Sequence, residues 1–124
     1  MENLSYMMAP LFSSKLLIVL FFGTLFGLIL GVLPGLGPTT GGALILPFTM
    51  TLDPLSAIVL LTAIYCSATY GGAITAVLIN TPGTPAAAAT CLDGYPLAQK
   101  GEAGRALGMA TVSSSIGVFL VFLF

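Results

Sequence analysis

The sequence predicts an all-α integral membrane protein whose transmembrane helices are interrupted by discontinuous or re-entrant segments at proline-glycine breaks. Three observations predict it. Hydrophobic residues make up 57% of the chain and charged residues 6%, against roughly 25% charged in soluble domains. No Asp, Glu, Lys or Arg lies between Lys15 and Asp53, between Asp53 and Asp93, or after Arg105. Two clusters, Pro34-Gly35-Leu36-Gly37-Pro38-Thr39-Thr40-Gly41-Gly42 and Asn80-Thr81-Pro82-Gly83-Thr84-Pro85, fall inside these apolar stretches. In hydrocarbon a helix is broken only where the freed backbone groups face protein, ions, substrate or water.

The first helix, about 14–33, has the length of about 20 apolar residues that a span requires. It carries Gly23, Gly27, Gly31 and Gly35 at spacing four, a small-residue face that lets another helix approach closely in lipid. A signal peptide is the competing reading, but the first fourteen residues carry Glu2 and no basic start. The second element, about 38–50, is too short to span and reads as a half-length or re-entrant helix. Asp53-Pro54 then supplies an N-cap followed by proline at the first helical position. This starts a third helix over 54–79, with Gly71-Gly72 marking an alternative interruption within it. Its Ala68, Gly72 and Ala76 are again spaced by four, so the two small-residue faces are candidates to pack on each other.

Thr84 before Pro85 repeats the cap-proline pattern and predicts a short helix over 85–91. A last span, 104–124, reaches Phe124 with no polar flank, which reads as a chain cut off inside a helix and hence as a fragment of a larger protein. Cys66 and Cys91 lack metal-ligand spacing and read as small packing residues. Lys15 and the pair Lys100 and Arg105 both flank spans, and the positive-inside tendency puts both on the cytoplasmic side. That topology sends the first span out and the third back.

The breaks carry the chemistry. Gly37 before Pro38, like Thr84 before Pro85, makes each break the start of a new helix, with free N–H donors and a partial positive charge suited to an anion. No Lys or Arg competes for that role at mid-membrane. The candidate substrate- and ion-binding set is Pro34, Gly35, Gly37, Thr39, Thr40, Asn80, Thr81, Gly83 and Thr84. Carbonyls freed before each break suit a hard cation such as Na⁺ equally well. Paired broken helices of this kind bind substrate and coupling ion in secondary transporters. Catalytic constellations are absent: the chain has no histidine, no Gly-x-Ser-x-Gly elbow, no phosphate loop and no cofactor or metal-ligand cluster. The sequence therefore predicts no enzyme. A net charge of −1 without a basic cluster excludes nucleic acid as a partner class.

The strings Gly31-Val-Leu-Pro-Gly-Leu-Gly-Pro38, Tyr70-Gly-Gly-Ala-Ile-Thr75, Asn80-Thr-Pro-Gly-Thr-Pro85 and Asp93-Gly-Tyr-Pro96, followed by Lys100-Gly101 and Arg105-Ala-Leu107, resemble the N-terminal part of the large permease subunit of the tripartite tricarboxylate transporters, the TctA family. The resemblance covers about 23–117. It implies that residues 1–124 are the N-terminal part of a polytopic permease domain in a bacterial inner membrane. It further implies secondary-active, Na⁺-coupled uptake of a tricarboxylate or other carboxylate. The implied partners are a small membrane subunit and a periplasmic solute-binding protein. A membrane scaffold held together by its glycine faces, with the breaks as mere kinks, is the alternative, and a channel is a third.

Overall fold

A computed structural model describes residues 13–124. Glu2, the residue that speaks against a signal peptide, lies outside these residues. All regular structure among them is helical: α1 (Ser14–Val32), α2 (Pro38–Thr49), α3 (Pro54–Ile79), a 3₁₀ turn (Pro85–Ala87), α4 (Ala88–Gln99) and α5 (Ala103–Leu123). Three of these, α1, α3 and α5, are long and apolar enough to cross a membrane.

The pairing of α1 with α3 organises the fold. Lys15 pairs with Asp53, Gly23 faces Leu60 and Ala63, Gly27 faces Ile64 and Ser67, and Gly31 faces Ala68. Contacts advance together along both chains, so α1 and α3 are parallel neighbours. The approach is close because the glycines leave no side chain between the backbones: a methyl group built on Gly27 would fall 2.6 Å from the Ile64 carbonyl oxygen, and one on Gly31 2.7 Å from the Ala68 Cα. Without a hydrophobic effect between helices in lipid, such dispersion contacts supply the attraction. The small-residue face of α1 ends at Gly31. Gly35 lies past the helix at φ 89° with nothing within 4 Å of a would-be Cβ, and serves the turn instead, where a left-handed φ strains any residue with a Cβ.

This parallel arrangement corrects the expected topology. Two parallel spans cannot run out and back, and it is α2 that returns the chain toward the Asp53 end. Gly94 of α4 lies against Val77, which stands about 36 Å along α3 from Asp53 at the helical rise of ~1.5 Å per residue. Lys100, six residues beyond Gly94, is therefore far from Lys15, and the two basic positions sit toward opposite ends of α3. They cannot both face the cytoplasm.

Two further expectations are revised. α3 runs unbroken through Gly71 and Gly72, because these glycines serve close approach: a methyl group on Gly71 would lie 2.9 Å from Gly31 backbone atoms, and one on Gly72 3.2 Å from the Thr84 nitrogen. The helix expected over 85–91 instead opens with a 3₁₀ turn and continues as α4 to Gln99, through Gly94 and Pro96. Tertiary contact of Gly94 with Val77 overrides the local turn signal. Cys66 is exposed and Cys91 half-buried, and Cys66 lines an open groove between α1 and α3 instead of filling a core position.

Asp53 caps α3 as its sequence predicts, accepting the Ser56 N–H at 3.1 Å and the Ser56 hydroxyl at 2.9 Å. The Lys15 ammonium, then the Ser56 backbone N–H, hold its carboxyl down from 3.8 to about 2. A depressed carboxylate adds stability that is fully present above its ordinary value and is lost as pH falls through the folded one. Asn caps as well as Asp, so Asp53→Asn keeps the cap while removing the ion pair and weakening the carboxylate's bonds from Ser56. The melting temperature of D53N in detergent is expected below that of the parent by a constant gap down to about pH 4. The gap should close between there and about pH 2, and should shrink in high salt. A pH-independent gap would show that the ion pair contributes nothing.

Candidate functional site

The two breaks meet. A methyl group built on Gly37, the N-cap of α2, would lie 3.5 Å from the Gly83 carbonyl oxygen and 3.9 Å from the Thr84 methyl carbon. The second break reaches this point by turning back. α3 ends at Asn80, whose left-handed conformation (φ 56°, ψ 29°) closes the helix with its N–H on the Thr75 carbonyl; asparagine is among the few residues with a Cβ that enter this region readily. Thr81 also donates to the Thr75 carbonyl, at 3.4 Å, and Gly83 N–H reaches the Gly72 carbonyl at 3.5 Å. The chain has then retraced about two turns of α3 before Thr84 starts the 3₁₀ turn and α4. Residues 80–84 are re-entrant.

Gly83 is the keystone of the return. A methyl group there would fall 2.7 Å from both the Gly31 carbonyl oxygen and the Gly72 Cα, so the segment lies in a notch that only glycines leave open. Gly72 stands eighteen residues beyond Pro54, about 27 Å along α3 by the helical rise. That approaches the ~30 Å thickness of a hydrocarbon core. The breaks therefore lie toward the end of the α1–α3 pair opposite the Lys15–Asp53 ion pair, away from its middle.

Of the nine expected site residues, three are brought together and two lie apart from them. Gly37, Gly83 and Thr84 come together, with Gly83 and Thr84 buried. Pro34 and Gly35 are exposed in the turn after α1 and make no part of that meeting point. Thr84 Oγ1 is engaged as a helix cap, accepting the Ala87 N–H at 3.2 Å, and Thr81 Oγ1 donates to the Ile79 carbonyl at 3.2 Å. Gly37 provides no side-chain cap to α2. The first-turn amides of α2, the hydroxyls of exposed Thr39 and half-buried Thr40 and the exposed Asn80 amide are thus the polar groups of the set not engaged in capping.

Sequence reasoning did not foresee that Gly31, Gly72 and Thr75 hold the second break in place. The signal was present in Tyr70-Gly-Gly-Ala-Ile-Thr75, where a glycine pair precedes a hydroxyl at helical spacing, but it reads equally well as packing. No group of three or more His, Cys, Asp or Glu side chains among the described residues is placed to hold a metal ion. Open apolar grooves between α1 and α3 and beside Tyr70 and α5 contain none of the break residues.

Comparison with known proteins covers most of the chain. An uncharacterized 52.8 kDa protein encoded in the TAR-I ttuC′ 3′ region of Agrobacterium vitis is 49% identical over 94 residues, which is 76% of this chain and 19% of that protein. The chain thus spans about one fifth of the length of the curated relative it matches. No solved structure matches. The family model described as the tripartite tricarboxylate transporter TctA family matches residues 17–124, from the first turn of α1 through both breaks to the end of α5, and the chain belongs to that family.

Proposed function

We propose that this chain forms part of the permease subunit of a secondary-active carboxylate transporter, and that the meeting point of its two breaks contributes to the substrate and ion site. The observation that carries the proposal is the contact of Gly37 with Gly83 and Thr84, which brings the starts of two helices together. Helix starts favour anions through free N–H donors and the macrodipole, and a tricarboxylate is an anion. Thr39, Thr40 and Asn80 add neutral donors and acceptors without a competing charge. Na⁺ is the proposed coupling ion, held by carbonyls freed at the breaks. A small membrane subunit and a periplasmic solute-binding protein complete the transporter in the bacterial inner membrane. Transport, and no catalysis, is its role.

Single cysteines at Thr39 and Asn80, in the assembled transporter, test the assignment. Both should react with a polar thiol reagent, and a tricarboxylate such as citrate together with Na⁺ should slow that reaction about tenfold or more, as ligand at ten times its dissociation constant would. Cysteines that stay inert would favour the scaffold reading, in which the breaks are packing kinks. Labelling that substrate leaves unchanged would remove these residues from the site.

A further inference from the structure

We infer that Thr75, outside the proposed site, is the residue that positions the re-entrant segment 80–84. The inference rests on the proposed function in treating that segment as part of the site. Thr75 is 5% exposed and sits one turn before the end of α3. Its carbonyl receives the N–H groups of both Asn80 and Thr81, which turns the chain back over the helix end. Its hydroxyl donates to the Gly72 carbonyl at 3.1 Å, and that carbonyl also receives the Gly83 N–H. A methyl group on Gly83 would stand 3.4 Å from Thr75 Oγ1. Thr75 thus receives the start of the return on its backbone carbonyl, while its side chain bonds to the same Gly72 carbonyl on which the return ends.

Back-bonding of a helical Thr to an earlier carbonyl is common, and Thr62, Ser67 and Thr69 of the same helix do it. Thr75 differs in what its acceptor does next. Back-bonding bends a helix locally, and the Gly72 carbonyl it engages is the one that docks Gly83. Loss of the hydroxyl leaves that carbonyl with less reason to lean toward the re-entrant segment, while the backbone hydrogen bonds of α3 remain.

The test uses the chain in lipid nanodiscs, with Cys66 and Cys91 replaced by alanine and both membrane faces open to a charged thiol reagent. The reaction rate of Thr81→Cys is compared with Thr75 intact, as Thr75→Ser and as Thr75→Val, with Thr51→Cys at the far end as a second reporter. Thr75→Val is expected to raise the Thr81→Cys rate by roughly three- to tenfold, the factor corresponding to one net hydrogen bond. Thr75→Ser should restore the parent rate, and the Thr51→Cys rate should not move. An unchanged Thr81→Cys rate in Thr75→Val overturns the inference, as does a parallel rise at Thr51→Cys, which would mean general loosening. No substrate enters this measurement, so its failure is distinct from failure of substrate protection at Thr39 and Asn80.

Discussion

Gly31→Ala is expected to be the most damaging conservative change in the chain. The new methyl would fall onto the Ala68 backbone, 2.7 Å from its Cα and 2.8 Å from its carbonyl carbon. Backbone of a packed helix cannot yield as a flexible side chain can, so α1 and α3 must separate along their shared face. The expected loss is about 3 kcal/mol, the upper part of the overpacking range, measured by denaturant titration of the purified chain in mild detergent. Gly108→Ala is the control. That glycine lies inside α5 with nothing within 4 Å of the added carbon, and the substitution should stabilise by ~0.5–1 kcal/mol through backbone entropy. Equal effects at the two positions would refute the close-packed face.

Gly83→Ala is expected to abolish the meeting of the breaks while sparing most of the helix pairing. Its methyl has no room between the Gly31 carbonyl and the Gly72 Cα, both 2.7 Å away. The re-entrant segment must lift, since α1 and α3 are anchored to each other from the Lys15–Asp53 pair to Gly31 and Gly71 and it is not. Overpacking of ~1–3 kcal/mol taken from the geometry of the proposed site corresponds to about a five- to 150-fold loss of affinity. If the proposed transport function holds, carboxylate uptake by the assembled transporter shows that loss in KM, with membrane levels of the protein retained. Uptake at the parent KM would show that the notch is not required.

Much of this architecture was legible in the residues, for identifiable reasons. Charge-free stretches between Lys15, Asp53 and Asp93 marked the spans, and Asp53-Pro54 and Thr84-Pro85 marked helix starts, because caps and first-turn prolines act locally. The glycine spacing in α1 announced a close neighbour. It could not name the direction of that neighbour, since a bare helix face accepts parallel and antiparallel partners alike. The topology inferred from three basic residues was wrong for the same reason: nothing local in Lys100 or Arg105 records how many times the chain has crossed. Gly71-Gly72 misled because glycine chosen for a neighbour's backbone looks identical to glycine chosen for a turn. That the two breaks touch was beyond the sequence, since Gly37 and Gly83 meet only through Gly31 and Gly72 on intervening helices.

The shortness of α2 has a consequence for the lipid around the molecule. Twelve residues supply about 18 Å of helix, yet they connect levels of α3 that stand about 27 Å apart. The remainder is covered by residues 50–53 after α2, where the Thr51 and Leu52 N–H groups bond back to the Phe48 and Thr49 carbonyls. Lipid can relieve such a mismatch by thinning at fractions of a kcal/mol per Å. Leu44, Leu46, Phe48 and Met50 are exposed on this flank, as Phe21, Phe22, Val121 and Phe122 are on α1 and α5, so all three helices offer apolar surface to acyl chains or to a neighbouring membrane helix.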